Sequence, residues 1–156
     1  MSDVTVRVAT ADDVAGVAAS SAALFAEDAG QRDALRNQGW PAAHGEQWVS
    51  DLIGDGNALV LVADAGGDCV GHLVGAYQET SEMWLAPRAE LVSMLVRRSH
   101  RGSGAGAALV DAFKAWAKGR GAVRLEVVAY AENEGALRFY VRSGFVPKEI
   151  TLVIDG

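Results

Sequence analysis

Val4, Val6 and Val8 alternate with Thr5 and Arg7, the period of a strand with one face buried. Thr10 can then cap a helix whose first turn carries Asp12 and Asp13, charges favoured at that end. Val14, Val17, Ala18 and Leu24 keep helical spacing to about Phe25. Residues 26–41 are polar and interrupted by Gly30, Gly39 and Pro41, so they read as a long connection, followed by a short helix from Glu46 to Ile53. The apolar run Ala58–Ala63 predicts a buried strand, Gly66-Gly67-Asp68 a turn, and Cys69–Tyr77 and Ala89–Val96 two more strands. A helix over about Gly104–Lys118 follows, with Leu109, Val110, Phe113, Trp116 and Ala117 on one face and Gly119 and Gly121 ending it. Val123–Ala129 predicts a strand, Asn133–Arg142 a helix closed by Gly144, and Glu149–Ile154 a last strand with Ile150, Leu152 and Ile154 turned to the core. Hairpin strands come first and β-α-β-α-β last, an α+β order.

Composition narrows this to one domain over residues 1–156, with half the residues hydrophobic and 22% charged. No apolar run spans a bilayer and MSDVTVRVAT does not read as a signal peptide, so the expectation is a cytoplasmic protein without a membrane partner. Cys69, the single cysteine, excludes an internal disulfide and a cysteine zinc cage. His44, His72 and His100 lack ligand spacing, so no metal is expected. The formal charge of -6 argues against nucleic acid and mildly favours a cationic partner such as an amine. Within that acidic chain, Arg97, Arg98, His100 and Arg101 cluster locally.

That cluster opens the segment RRSHRGSGAG, a glycine loop between a strand and a helix. Glycines let the backbone turn sharply and let a ligand approach closely, while the first helical N–H groups and the helix dipole favour an anion. Arg101 can add charge-assisted hydrogen bonds to phosphate oxygens. A P-loop needs Gly-Lys-Ser/Thr, but Ala107 and Ala108 follow Gly106. The dinucleotide spacing G-x-G-x-x-G is also absent, since Gly102, Gly104 and Gly106 alternate, and Glu126 lies mid-strand instead of at a strand end. A glycine turn without a ligand remains open on these residues alone.

VRRSHRGSGAGAALV resembles the acyl-CoA loop of the GNAT family of N-acyltransferases, Arg/Gln-x-x-Gly-x-Gly/Ala, at Arg101, Gly104 and Gly106. NEGALRFYVRSGF is similar to a second pattern of that family, through Asn133, Ala136, Tyr140, Gly144 and Phe145. The matching segments run from about Glu90 to Phe145. The resemblance implies a mixed, mostly antiparallel sheet of about six to seven strands flanked by about four helices. It also implies a splay between the fourth and fifth strands that admits acetyl-CoA, the expected co-substrate. Gly102, Ser103, Gly104, Ala105 and Gly106 would then bind the pyrophosphate, and Met94, Leu95 and Val96 would pair with pantetheine. One of their main-chain N–H groups can hold the developing oxyanion.

Transfer to an amine also needs a base and an acid. Periodicity alone favours core packing of Tyr140 beside Leu137 and Val141; the resemblance reverses that preference and implies that this phenol, neutral at pH 7, is the acid for the departing thiolate. Glu90 is the candidate base, directly or through water; simple alternation from Val96 puts it on the face of Val92, Met94 and Val96. Asn133 suits a helix N-cap, and the resemblance adds a hydrogen bond to pantetheine. The 26–48 and 77–90 segments are expected to form the acceptor site, with Trp40, Trp48, Tyr77, Trp84, Glu27, Asp28, Glu79 and Glu82 suiting a cation. The expected acceptor is a small-molecule primary amine. A protein or peptide acceptor, a non-catalytic acyl-CoA module and a homodimer stay open.

Overall fold

The structure is a computed structural model describing residues 3–156. Five strands, β1 (Val4–Val8), β2 (Ala58–Ala65), β3 (Asp68–Gln78), β4 (Arg88–Val96) and β5 (Arg124–Val127), form one sheet in sequential order. The first four pair antiparallel and β5 joins β4 in parallel. The helices are α1 (Val14–Glu27), α2 (Ala29–Arg32), α3 (Trp40–Ile53), α4 (Ala105–Gly119) and α5 (Glu134–Arg142).

The alternation of β2 and β3 creates two cores. Leu59, Leu61, Ala63 and Leu73 face Leu109, Val110 and Phe113 of α4. Val60 and Val62, on the opposite face, meet Val17 and Ala18 of α1 and Val49 of α3. Gly75 permits the close approach of α4: a Cβ there would stand 2.9 Å from the Phe113 ring. Opposite Val74 and Gly75, the β4 register skips Val92, leaving it 44% exposed in a bulge. An extra residue reverses the inward–outward phase of a strand.

Four expectations change. The sheet has five strands among the described residues instead of about six to seven. The 26–41 connection is interrupted by α2, and α3 starts at Trp40 instead of Glu46, because Pro41 sits in its first turn, where its missing N–H costs nothing and its fixed φ suits the helix. The strand expected over Val123–Ala129 is only Arg124–Val127. The last strand, Glu149–Ile154, does not form; Ile150, Leu152 and Ile154 are 82%, 88% and 98% exposed instead of facing the core. Alternation confers the capacity to pair, but a strand exists only where a sheet edge accepts its hydrogen bonds.

Thr10 and Asp13 fix the turn into α1. Asp13 Oδ2 accepts the Thr10 main-chain N–H at 2.8 Å, and Arg7 donates to both Asp13 carboxylate oxygens at 2.7 and 2.9 Å. The Arg7 hydrogen bond is the main reason the Asp13 carboxyl is held down to about 2. A carboxyl depressed on folding contributes stability above its ordinary pKa of 3.8 that is lost as pH falls through about 2. Asp13→Asn is therefore expected to reduce stability at pH 7 and flatten its decline between pH 4 and 2. Denaturant titrations across that window check it.

Candidate functional site

β5 pairs with β4 only from Arg88 to Leu91, while β4 continues to Val96. The sheet therefore opens between these strands beyond Leu91. Arg97 donates its N–H to Val70 of β3 at 2.8 Å. Strand alternation consequently turns the main-chain groups of Leu95 toward β3 and those of Met94 and Val96 toward the open edge. Of the three residues expected to pair with an extended ligand, Met94 and Val96 can do so. Leu95 is committed to β3. The Val96 carbonyl already accepts from Arg101 Nε at 2.8 Å.

The edge runs into the glycine loop. Gly102 and Gly104 have φ of 80° and 89°, a left-handed conformation that side chains resist. Ser103 Oγ donates to the His100 carbonyl at 2.5 Å and steadies the turn. The N–H groups of Gly102, Ser103, Gly104, Gly106 and Ala107 find no acceptor among the described residues. Ala105 N–H has only a long contact to Ser103 Oγ, 3.4 Å, and the Ala105 side chain is buried. This is a cradle of main-chain donors at a helix N-terminus, suited to a pyrophosphate. Arg101 differs from expectation in its present partners. Besides the Val96 carbonyl it donates to Glu27 of α1 at 2.5 Å, tying α1 to the end of β4.

The bulge at Val92 relocates Glu90. Ala89, Leu91, Met94 and Val96 all pack toward α4. Glu90 instead pairs with Ala76, and Ser93 with Val74, placing both on the α1 side. Simple alternation put Glu90 with Met94 and Val96; the extra residue breaks that count. Glu90 is half-buried and makes neither an ion pair nor a side-chain hydrogen bond among the described residues. Ser93 Oγ lies 2.7 Å from Nε2 of the fully buried His72, whose Nδ1 is 2.6 Å from Ser20 Oγ.

Tyr140 packs its ring against Phe139 and Phe145, with centroids 5.4 and 5.8 Å away. Burial first, and Asp28 second, push its phenol up to about 12. Its hydroxyl has no hydrogen-bond partner among the described residues, yet it is not sealed from solvent. The ring is packed, but against Phe139 and Phe145 instead of the expected Leu137 and Val141, which are 39% and 56% exposed. Asn133 is the N-cap of α5, with Oδ1 accepting Ala136 N–H at 3.1 Å and Nδ2 donating to Asp28 Oδ1 at 3.2 Å.

The residues expected to hold a cation are largely occupied. Asp28 also pairs with Arg32 at 2.6 Å, and Glu27 with Arg101. Trp84 lies 3.6 Å beneath the Arg88 guanidinium and Tyr77 4.4 Å beneath that of Arg120. Trp40 packs edge-on against Trp48. Glu79 and Glu82 are exposed without ion pairs among the described residues. A groove of about 400 Å³ between α1 and α3 is lined by alanines, Phe25, Gln38, Pro41 and Glu46, and neither Glu90 nor Tyr140 lines it. Cys69 is half-buried, and burial raises its thiol pKa, which suits a small hydrophobe rather than a nucleophile. His100 Nδ1 contacts Ser99 Oγ. No group of three metal-ligating side chains gathers among the described residues, and none of their helices is long and apolar enough to cross a membrane.

Sequence reading overlooked Glu27 and Asp28 as partners of Arg101 and Asn133, and the Ser20–His72–Ser93 chain. A histidine amid an apolar strand was the available signal, but only the fold supplies its partners.

A family model described as the acetyltransferase (GNAT) family matches residues 26–145. An uncharacterized N-acetyltransferase of Methanocaldococcus jannaschii is 32% identical over 104 residues, covering 67% of this chain and 45% of that protein. The chain thus spans less than half the length of that relative. An aminoglycoside N-acetyltransferase solved with CoA superposes with a TM-score of 0.81 at 15% identity, covering 100% of this chain and 96% of the other. A ribosomal-protein-alanine N-acetyltransferase from Brucella melitensis superposes at 0.72 with 20% identity, covering 98% and 99%.

Proposed function

We propose, from the premise that this chain belongs to the acetyltransferase (GNAT) family, that it transfers an acetyl group from acetyl-CoA to a primary amine of a small molecule. The observation that carries this reading is the open edge of β4 running directly into a loop of unpaired main-chain donors. The edge matches an extended amide-bearing chain, and the loop matches a pyrophosphate attached to it.

Both substrates are bound together. The N–H groups from Gly102 to Gly106 hold the pyrophosphate, with Arg101 fixing the end of β4 behind them. Met94 and Val96 align pantetheine, and one of their N–H groups faces the thioester oxygen. Asn133 adds a contact to pantetheine by exchanging its Asp28 partner. Glu90 takes a proton from the ammonium, directly or through water, and the neutral nitrogen attacks the carbonyl carbon. As the carbon–sulfur bond breaks, the new amide nitrogen sheds its remaining extra proton to solvent, and Tyr140 gives its proton to the thiolate and recovers one from solvent. A small acceptor is favoured because Glu90 and Ser93 are half-buried on the side covered by α1 instead of standing on an open surface.

The deciding assay measures release of CoA thiol with acetyl-CoA and a panel of small amines and peptide N-termini. Release with small amines supports the proposal; binding of acetyl-CoA without release to any amine refutes it. Release with peptides alone moves the acceptor to the protein class. Glu90→Gln is expected to lower kcat/KM about 100-fold near pH 7 and remove the acidic limb of the pH–rate profile. An unchanged limb would assign the base elsewhere.

A further inference from the structure

The phase change at Val92 brings three hydroxyl and imidazole groups from separate elements into one line. Ser20 of α1 has 0% exposure, as does His72 of β3; Ser93 of β4 is half-buried on the α1 side, where β4 has lost β5. Ser20 Oγ is 2.6 Å from His72 Nδ1, and His72 Nε2 is 2.7 Å from Ser93 Oγ.

Donor counting gives the chain a direction. Among the described residues, Ser20 Oγ has one hydrogen-bond partner, His72 Nδ1. A fully buried hydroxyl must donate, since an unmet donor keeps its whole desolvation cost. Ser20 therefore donates to Nδ1, which places the imidazole proton on Nε2 and makes His72 donate to Ser93 Oγ. The Ser93 proton is left to point outward, toward the opened sheet. The reverse tautomer would strand the Ser20 proton in the core. Burial first, and the positive charge of Arg97 second, lower the His72 pKa to about 4, so the ring stays neutral near pH 7 and cannot serve as the base. Successive donors polarise one another, strengthening the terminal hydroxyl.

We propose that Ser20, His72 and Ser93 form a one-way hydrogen-bond chain that presents the Ser93 hydroxyl as a fixed donor to the acceptor substrate, selecting amines that carry an oxygen acceptor two or three carbons from the reacting nitrogen. Glu90 and Ser93 face Ala76 and Val74, adjacent positions on one face. Such positions are spaced by about 7 Å along a strand. An amino alcohol bridges them, its nitrogen toward Glu90 and its oxygen toward Ser93. Ser93 touches the acceptor; His72 and Ser20 are positioning residues. This rests on the acetyl-transfer reading above, which it deepens.

Two measurements test it. Long-range ¹H–¹⁵N spectra of the full chain should show His72 neutral with its proton on Nε2 between pH 6 and 8. A proton on Nδ1, or a charged ring, overturns the chain whatever the activity. Kinetically, 2-aminoethanol is compared with n-propylamine and 3-aminopropanol with n-butylamine. The wild type should prefer each amino alcohol by about tenfold in kcat/KM, the scale of one hydrogen bond. Ser93→Ala should erase that preference by raising the acceptor KM while the acetyl-CoA KM stays fixed, and Ser93→Thr should restore it. His72→Gln should act in the same direction, and the Ser93 pair decides the matter if that variant fails to fold. Equal use of both members of each pair by the wild type, or an undiminished preference in Ser93→Ala, overturns the proposal. Thiol release with no amine overturns the acetyl-transfer reading and the acceptor role with it, while the tautomer still tests the chain itself.

Discussion

Tyr140→Phe is expected to lower kcat about 100-fold or more and leave the acetyl-CoA KM within about twofold, since the variant loses the proposed general acid but keeps the ring. The phenol is pushed up to about 12 by burial and by Asp28, so it holds its proton throughout the working range. Its hydroxyl is free of protein partners among the described residues, so the lost oxygen unpairs no neighbour. The ring contacts with Phe139 and Phe145 survive in phenylalanine. Stability supplies an independent check. A phenol whose pKa rises on folding contributes stability that is present below pH 10 and lost as pH climbs toward 12. Tyr140→Phe should remove that alkaline decline. Wild-type turnover in a variant that has lost the decline would confine Tyr140 to packing.

The second large effect is expected at the glycine loop. Gly104 has φ of 89°, and a Cβ there meets nothing within 4 Å. Asparagine and aspartate tolerate this left-handed conformation better than other side chains, so the pair Gly104→Asn and Gly104→Asp separates shape from charge. Gly104→Asp should raise the acetyl-CoA KM at least about tenfold above Gly104→Asn, because tenfold needs only about 1.4 kcal/mol and unit charges about 4 Å apart repel by about 4 kcal/mol at an effective dielectric of about 20. Added salt should narrow the gap between them. Equal values for the two variants would place the phosphates elsewhere. The acceptor KM should change little in either.

Local chemistry made the loop legible. Gly102 and Gly104 lie where positive φ demands glycine, and the unpaired donors follow from a helix beginning at Ala105. Asn133 likewise read correctly as an N-cap from its place before a helix. Glu90 was assigned to the wrong face, because that face was counted through a strand whose bulge only the pairing with β3 reveals. Pro41 read as a breaker because its permitted place in the first turn depends on where α3 starts. The C-terminal alternation predicted a strand without knowing whether any edge would receive it.

By itself, the sequence determined the α+β order, the buried strand over Ala58–Ala63, and a donor-rich loop ahead of α4. Those features depend on neighbours a few residues apart, where φ preferences, side-chain period and helix termini act directly. Tertiary structure decided the rest. It ended the β5 pairing at Leu91, turned Glu90 toward α1, bound Arg101 to Glu27, and joined Ser20 and Ser93 through His72. Each outcome joins residues from different elements, and their partners exist only once the sheet register is set and the helices have packed on it.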